Sequence, residues 1–392
     1  MDFLEPVKIE AERFNGINKS VVKIFAFMNK EGVVASSLLA NAFVKKNIAF
    51  SISFIKTLNK EDIRRENCDI IFLLCDINEI SSDKHLFIFN NKELSLVEAA
   101  YYFVKFLDKN NTSLAYFVMC AGDKVRDDIR KDIDNSALVE KRKGIDMFGM
   151  YVLPISKVLE YNIDPYLPGI SGNKQGVSNF LNELQIEEDK INNFSEEELN
   201  KLVTHVILKR IGGDVDVFRD VYLLQDGRSI NQLSFLLDFC CRIGKPSLGV
   251  SLFFDRANVK KAVEIYSFML KDIIYGLEWF YNNKRKKRFE EGKMYVLIRL
   301  DEDINPDIVD ILCSVINNAG IYPDKAVIIS AFTIDGNIRY FIMNFKDCPL
   351  LGREYANVHN GYEFVISPEE EKPFLEKLKT LAGSIIMEDI VK

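Results

Sequence analysis

The sequence predicts an α/β protein in three parts: a parallel-sheet N-terminal domain (1–187), a helical connector (188–285) and a smaller α/β C-terminal domain (286–392). Three observations lead there. Through the first 185 residues short apolar runs alternate with amphipathic helical patterns, as buried parallel strands between helices do. From about 188 to 283 the helical period dominates. The last hundred residues return to strands and helices.

In chain order, strands are expected at Val21–Phe27, Ala49–Ile55, Ile70–Leu74, Leu86–Phe89, Leu114–Cys120 and Tyr151–Leu153. Helices are expected between them at Val33–Lys46, Leu96–Leu107, Lys124–Ser136 and Val177–Glu183. The stretch "NIDPYLPGISGNKQG", dense in Pro, Gly and Asn, reads as a loop before a helix. "SEEEL" at 195–199 begins with a capping box, and a long helix runs from about Ala257 through Tyr281. The basic segment "NNKRKKRFEEGK" that follows reads as a boundary. Beyond it, "KMYVLIRLDED" is a strand, "PDIVDILCSVINNAG" a helix and "KAVIISAFT" a strand that turns through "DGN" into "IRYFIMNF". "SPEEEKPFLEKLKTLAG" is a capped terminal helix.

Composition narrows the function. Hydrophobic residues at 48% and charged residues at 28% suit a globular protein with a full core. The net charge of -7 excludes a global basic field, so nucleic-acid binding would depend on local patches such as Lys141-Arg142-Lys143 or Lys284 to Arg288. Apolar runs such as Ala115 to Ala121 are too short to span a bilayer, and "MDFLEPVKIEAERF" is unlike a secretory signal, so the cytoplasm is expected. The seven cysteines form no C-x-x-C pair and mostly sit in apolar runs, as small buried hydrophobes do in a reducing compartment. Three histidines (His85, His205, His359), far apart, limit metal and acid–base chemistry.

No P-loop, dinucleotide fingerprint, H-E-x-x-H or nucleophile elbow occurs. What remains is a set of oxygen donors at predicted strand ends. Asn29 and Glu31 follow the first strand, Asp76 the third, and Asp123 the run Leu114–Cys120. Converging on one sheet edge, such oxygens suit Mg²⁺ or Mn²⁺, and two such ions can clamp a phosphodiester. Asp and Asn after a strand are equally turn and N-cap residues, and Asp123 equally caps the following helix.

Three stretches order these pieces. "VLEYNIDPYLPGISGNKQGVSNFLNEL" (158–184), "LSFLLDFCCRIGKPSLGVSLFFDR" (233–256) and "LAYFVMCAGD" (114–123) resemble, in order, motifs of the archaeal RecJ-like branch of the DHH phosphoesterase superfamily. In the second, Arg242, Gly244, Lys245, Pro246 and Gly249 match the family's turn. The branch is related to the non-catalytic RecJ-fold subunit of the eukaryotic replicative helicase. The resemblance covers nearly the whole chain and implies a DHH-type domain followed by a DHH-associated C-terminal domain.

In active members the resemblance implies paired Mn²⁺ or Mg²⁺ ions held by Asp and His. The first motif, His-x-Asp-x-Asp-Gly, falls on Phe27-Met28-Asn29-Lys30-Glu31-Gly32, where only the glycine is unchanged. The second falls near Leu74 to Asp76. The Asp-His-His motif falls on Phe89-Asn90-Asn91, and Asp123 remains of the fourth. A C-terminal Gly-Gly-His loop falls on Asn357-Val358-His359, and a phosphate-gripping strand on Arg339 to Met343. Asn29, Glu31, Asp76, Asn90, Asn91 and Asp123 are therefore vestigial metal positions. Arg339, His359, Arg242 and Lys245 are candidate nucleic-acid contacts.

Two principal readings follow. The first is a non-catalytic RecJ-like component of an archaeal replication complex, needing no cofactor, binding GINS and through it the MCM helicase, with single-stranded DNA as a further ligand. The alternative is a weak Mn²⁺- or Mg²⁺-dependent single-strand exonuclease using Asn29, Glu31, Asp76, Asn91 and Asp123. A third, a nucleic-acid module without replication partners, would use the basic runs.

Overall fold

The computed structural model describes residues 3–17, 21–55, 60–74, 84–89, 93–122, 124–187, 191–211, 218–283, 288–345, 356–358 and 361–388. Packing divides the chain into two compact units, each drawn from two stretches: 1–144 with 220–265, and 145–219 with 266–392. The boundaries read from the sequence follow changes of element type. The units follow packing, so the chain leaves the first unit and comes back to it.

In the first unit β1 (Val21–Phe27), β2 (Ala49–Ile55), β3 (Ile70–Leu74) and β4 (His85–Ile88) form a parallel sheet in the order β2-β1-β3-β4. All four fall where the apolar runs predict strands. β3, "IIFLL", is buried at every position, as a central parallel strand between covered faces must be. Helices Glu5–Gly16, Lys30–Lys45 and Leu96–Leu107 pack around this sheet. They carry Phe14, Phe43 and Phe103 onto Phe72 of β3 and Phe87 of β4, with ring centroids 4.7 to 6.2 Å apart. Each such fully buried ring contributes roughly 1.5–3 kcal/mol of burial free energy. Leu96–Leu107 starts from a capping box of Ser95 and Glu98.

Two expected strands are not strands. Leu114–Cys120 enters as a 3₁₀ turn and continues as the helix Tyr116–Ala121, and Tyr151–Leu153 is a turn. A short run that is apolar at every position has no period to separate helix from strand. Phe117 of that run stacks on Phe253 at 3.9 Å between centroids, so neighbours on several sides bury it as a helix. Conversely, β5 (Val139–Ile145) and β6 (Phe218–Leu224) form a two-stranded sheet that the charged sequence "VEKRKGI" hides. Asp220 answers both Lys141 at 3.2 Å and Lys143 at 2.9 Å across the ribbon. That basic run is thus partly neutralised in place.

In the second unit β7 (Phe289–Glu291), β8 (Tyr295–Arg299), β9 (Ala326–Phe332), β10 (Ile338–Met343), β11 (Ala356–Val358) and β12 (Gly361–Ile366) form one sheet, ordered β11-β12-β10-β9-β8-β7. The β8–β9 pair is parallel, and the four other neighbouring pairs are antiparallel. The expected hairpin joins β9 to β10, with Gly336 at φ 82° in its turn. Helix Pro368–Glu388 covers one face through Phe374, Leu375 and Leu378 against Tyr340 and Phe364. Helix Val309–Asn318 packs across β9 and β10.

The loop "DPYLPGISG" of this unit is tied by its own backbone and side chains. Ser171 Oγ accepts from Leu167 N (3.1 Å), Asn162 Nδ2 donates to Pro165 O (2.7 Å), and Asn173 Oδ1 accepts from Gly176 N (3.0 Å). A Cβ at Gly176 would lie 1.8 Å from the Gly169 carbonyl. This motif is architecture: it closes a tight loop onto the start of helix Lys174–Leu184. Among the described residues no helix is long and apolar enough to cross a membrane.

Candidate functional site: a refitted strand–turn–helix

The turn after β1 is the natural place for chemistry in a parallel sheet. Asn29 sits there in extended conformation (φ -136°, ψ 171°) as N-cap of helix Lys30–Lys45, and its Oδ1 accepts from Gly32 N at 2.8 Å. An N-cap satisfies one of the helix's orphan N–H groups. The oxygen that would be a metal ligand is thereby engaged by the backbone. Gly32 is required by close approach: a Cβ there would lie 2.2 Å from the Phe27 carbonyl oxygen.

The neighbours are equally committed. Phe27 packs against the apolar cluster of Phe25, Ile63, Ile71 and Leu73. Glu31 is exposed in the first helical turn, where its charge favours the helix dipole. Lys30 turns across to helix Ile230–Arg242, and its Nζ donates to Ser234 Oγ at 3.2 Å. Its charge also reaches the buried thiols of Cys120 and Cys241, opposing burial there. Burial nevertheless pushes Cys120 up to about 12, and Cys240 likewise to about 12. A thiol held protonated so far above neutrality is neither nucleophile nor metal ligand.

These residues do not fit the family's paired dications at the first motif. One phenylalanine, one amide already hydrogen-bonded, one outward carboxylate and one ammonium offer no convergent anionic donors. Among the described residues no group of three His, Cys, Asp or Glu could hold a metal ion. Asp76, Asn90, Asn91, Asp123 and His359 lie outside the described residues. Of the other histidines, His85 is exposed and His205 Nδ1 donates to the Lys201 carbonyl at 2.8 Å.

The described candidate nucleic-acid contacts are engaged each in its own surroundings. Arg242 Nε donates to Asp238 Oδ2 at 2.8 Å, one helical turn away. Lys245 is exposed at the N-cap of helix Pro246–Ser251, and Gly249 of the same turn approaches Val33 Cγ1 to within 3.0 Å of where a Cβ would stand. In the second unit Arg339 Nε donates to Glu363 Oε1 at 2.5 Å, and its Nη1 reaches Asp307 Oδ1 and Pro306 O, both at 3.2 Å. A phosphate at Arg339 must compete with two carboxylates. Sequence reading passed over Lys30 and Ser234, because only tertiary packing joins residues 204 apart in sequence.

Residues 147–217 match the family model of the DHH-CID domain. No curated protein sequence matches the chain. Among solved structures, the chain is similar to CDC45 from Entamoeba histolytica, with a TM-score of 0.62 and 11% identity, covering 97% of this chain and 98% of that one. It is also similar to RecJ in complex with Mn²⁺ from Thermus thermophilus (TM-score 0.52, 11% identity), spanning 98% of this chain but 55% of that one. A manganese-bound exonuclease RecJ gives 0.51 at 9% identity, over 98% and 95% of the two chains. The chain thus has the fold shared by CDC45 and RecJ, and the stretch that matches the DHH-CID model lies in its second unit.

Proposed function

We propose that this chain is a non-catalytic RecJ-like component of an archaeal DNA replication complex, holding GINS and, through it, the MCM helicase. The single observation that carries the reading is the refitted first motif: Asn29 Oδ1 caps a helix at 2.8 Å from Gly32 N, with Phe27 packed into the apolar cluster beside it. Such a turn supports the platform without supplying the charge that a dication or an activated water needs. The likeness to CDC45 along nearly the full length of both chains supports the fold this reading requires, and the refitted turn is what favours binding over hydrolysis. Single-stranded DNA is a further ligand of the same reading, through Arg242, Lys245, Arg339 and His359.

The test is co-elution. Affinity-purified chain from a native lysate, or recombinant chain mixed with recombinant GINS, is resolved by size exclusion and identified by mass spectrometry. The reading predicts a stable complex containing GINS, with MCM joining only when GINS is present. Elution of the chain free of intact GINS contradicts it.

A further inference from the structure

The two larger sheets end in β2 and β4, and in β7 and β11. Proteins keep such edge strands short, charged or covered, because their unpaired backbone groups recruit further strands. Three of these edges are protected in that way. β7 and β11 are three residues long, and β7 carries Glu290 and Glu291. β4 is four residues long, and Arg13 lies over its Phe87 ring while donating to its Leu86 carbonyl. β2, "AFSISFI", runs for seven residues with no charge and no proline. Among the described residues, β1 is the one strand paired with it.

The sequence of β2 indicates what fits its outer edge. Phe50-Ser51-Ile52-Ser53-Phe54 reads the same in both directions. Laid antiparallel on a second copy about a two-fold axis at Ile52, it sets Ile52 opposite Ile52, Phe50 opposite Phe54 and Ser51 opposite Ser53. The backbone is in phase with this register. The Ile55 carbonyl accepts from Met28 N at 3.2 Å, on the β1 side. By strand alternation, Phe54, Ile52 and Phe50 turn their N–H and C=O groups to the outer edge. They are the residues that meet across the axis, so each pair can exchange two N–H···O bonds. The faces agree as well. Phe50, Ile52 and Phe54 share the face of helix Lys30–Lys45, where Phe50 meets Phe43 at 6.0 Å, and Ser51 and Ser53 share the other. No charge opposes another within the strand, and Lys46 and Lys56, which flank it in the sequence, confine the pairing to it. A two-fold contact demands such self-complementarity, whereas an unrelated partner strand would not.

We propose that two copies of this chain associate by antiparallel pairing of β2 with β2, centred on Ile52, which joins their parallel sheets into one. The proposal is independent of GINS binding, since it rests on the strand alone.

The test is sedimentation equilibrium on the full chain over a range of concentrations, where a reversible dimer is expected. Ser51→Glu with Ser53→Glu opposes carboxylates across the axis and should weaken the dimer by about tenfold or more, with the far-UV circular dichroism of the wild type. Ser51→Glu with Ser53→Lys sets Glu opposite Lys in the same register and should restore the dimer. Ile52→Cys gives a readout that does not depend on the charge variants. A hydrogen-bonded antiparallel pair spaces its Cα atoms about 5.5 Å apart, within disulfide reach. Mild oxidation should therefore link the Ile52→Cys chains into a covalent dimer that the wild type does not form. A chain that is monomeric at every soluble concentration overturns the proposal, including one captured through β2 by a different protein. So does a dimer that the double-glutamate variant leaves intact, a dimer lost in that folded variant and not restored by Ser53→Lys, or an Ile52→Cys chain that oxidation leaves unlinked.

Discussion

Asn29 and Gly32 hold the turn after β1 through an N-cap bond and a close backbone approach. Asn29→Ala removes the N-cap bond and is expected to destabilise the chain by about 1 kcal/mol in urea unfolding. Asn29→Asp keeps an acceptor and adds charge at a helix N-terminus, so stability should hold or rise by a few tenths of a kcal/mol, without Mn²⁺-dependent nuclease activity appearing. Gly32→Ala drives a methyl into the Phe27 carbonyl at 2.2 Å and should cost about 1–3 kcal/mol, the range of overpacking. The thiols give a pH-dependent test. Burial raises Cys120 and Cys240 from 9.0 to about 12, so between those values the unfolded chain releases protons that the folded chain keeps. Their contribution is complete below pH 9 and is lost as pH rises toward 12. Native Cys120 and Cys240 should resist alkylation at pH 8 and react once urea unfolds the chain. Rapid labelling of the folded chain would contradict their burial.

At the scale of elements, what was legible depended on period and on punctuation. The four strands of the first sheet, the Ser195 capping box, the β9–β10 hairpin and the long helix Arg256–Asn283 all lie where apolar runs, caps and glycines place them. Leu114–Cys120 was not legible, because a run apolar on every side is a helix or a strand according to its neighbours. β5 was hidden for the opposite reason: its lysines are neutralised by Asp220 on another strand, far downstream in the sequence. The candidate site divides the same way. The substitutions at Phe27, Asn29 and Glu31 can be read from the sequence, while the N-cap bond and the Lys30–Ser234 bridge need the fold. The loop before helix Lys174–Leu184 offers a test of its architectural role. Gly176→Ala would ordinarily favour a helix by about 1 kcal/mol. Here its Cβ meets the Gly169 carbonyl at 1.8 Å, so a net loss of stability is expected by thermal unfolding.

Across the whole molecule, each of the two units has its own sheet and its own buried cluster among the described residues. The likeness to CDC45 along nearly the full length of both chains shows the fold, and the turn after β1 is held by its own N-cap bond. The net charge of -7 fits this division, since any nucleic-acid contact must be local and strongly salt-dependent. The most direct test is a nuclease assay on 5′-labelled single-stranded DNA with Mn²⁺, comparing the wild-type chain with Asp123→Ala. The account predicts that neither protein releases nucleotides above the no-enzyme control. Mn²⁺-dependent release by the wild type that disappears in Asp123→Ala would contradict it.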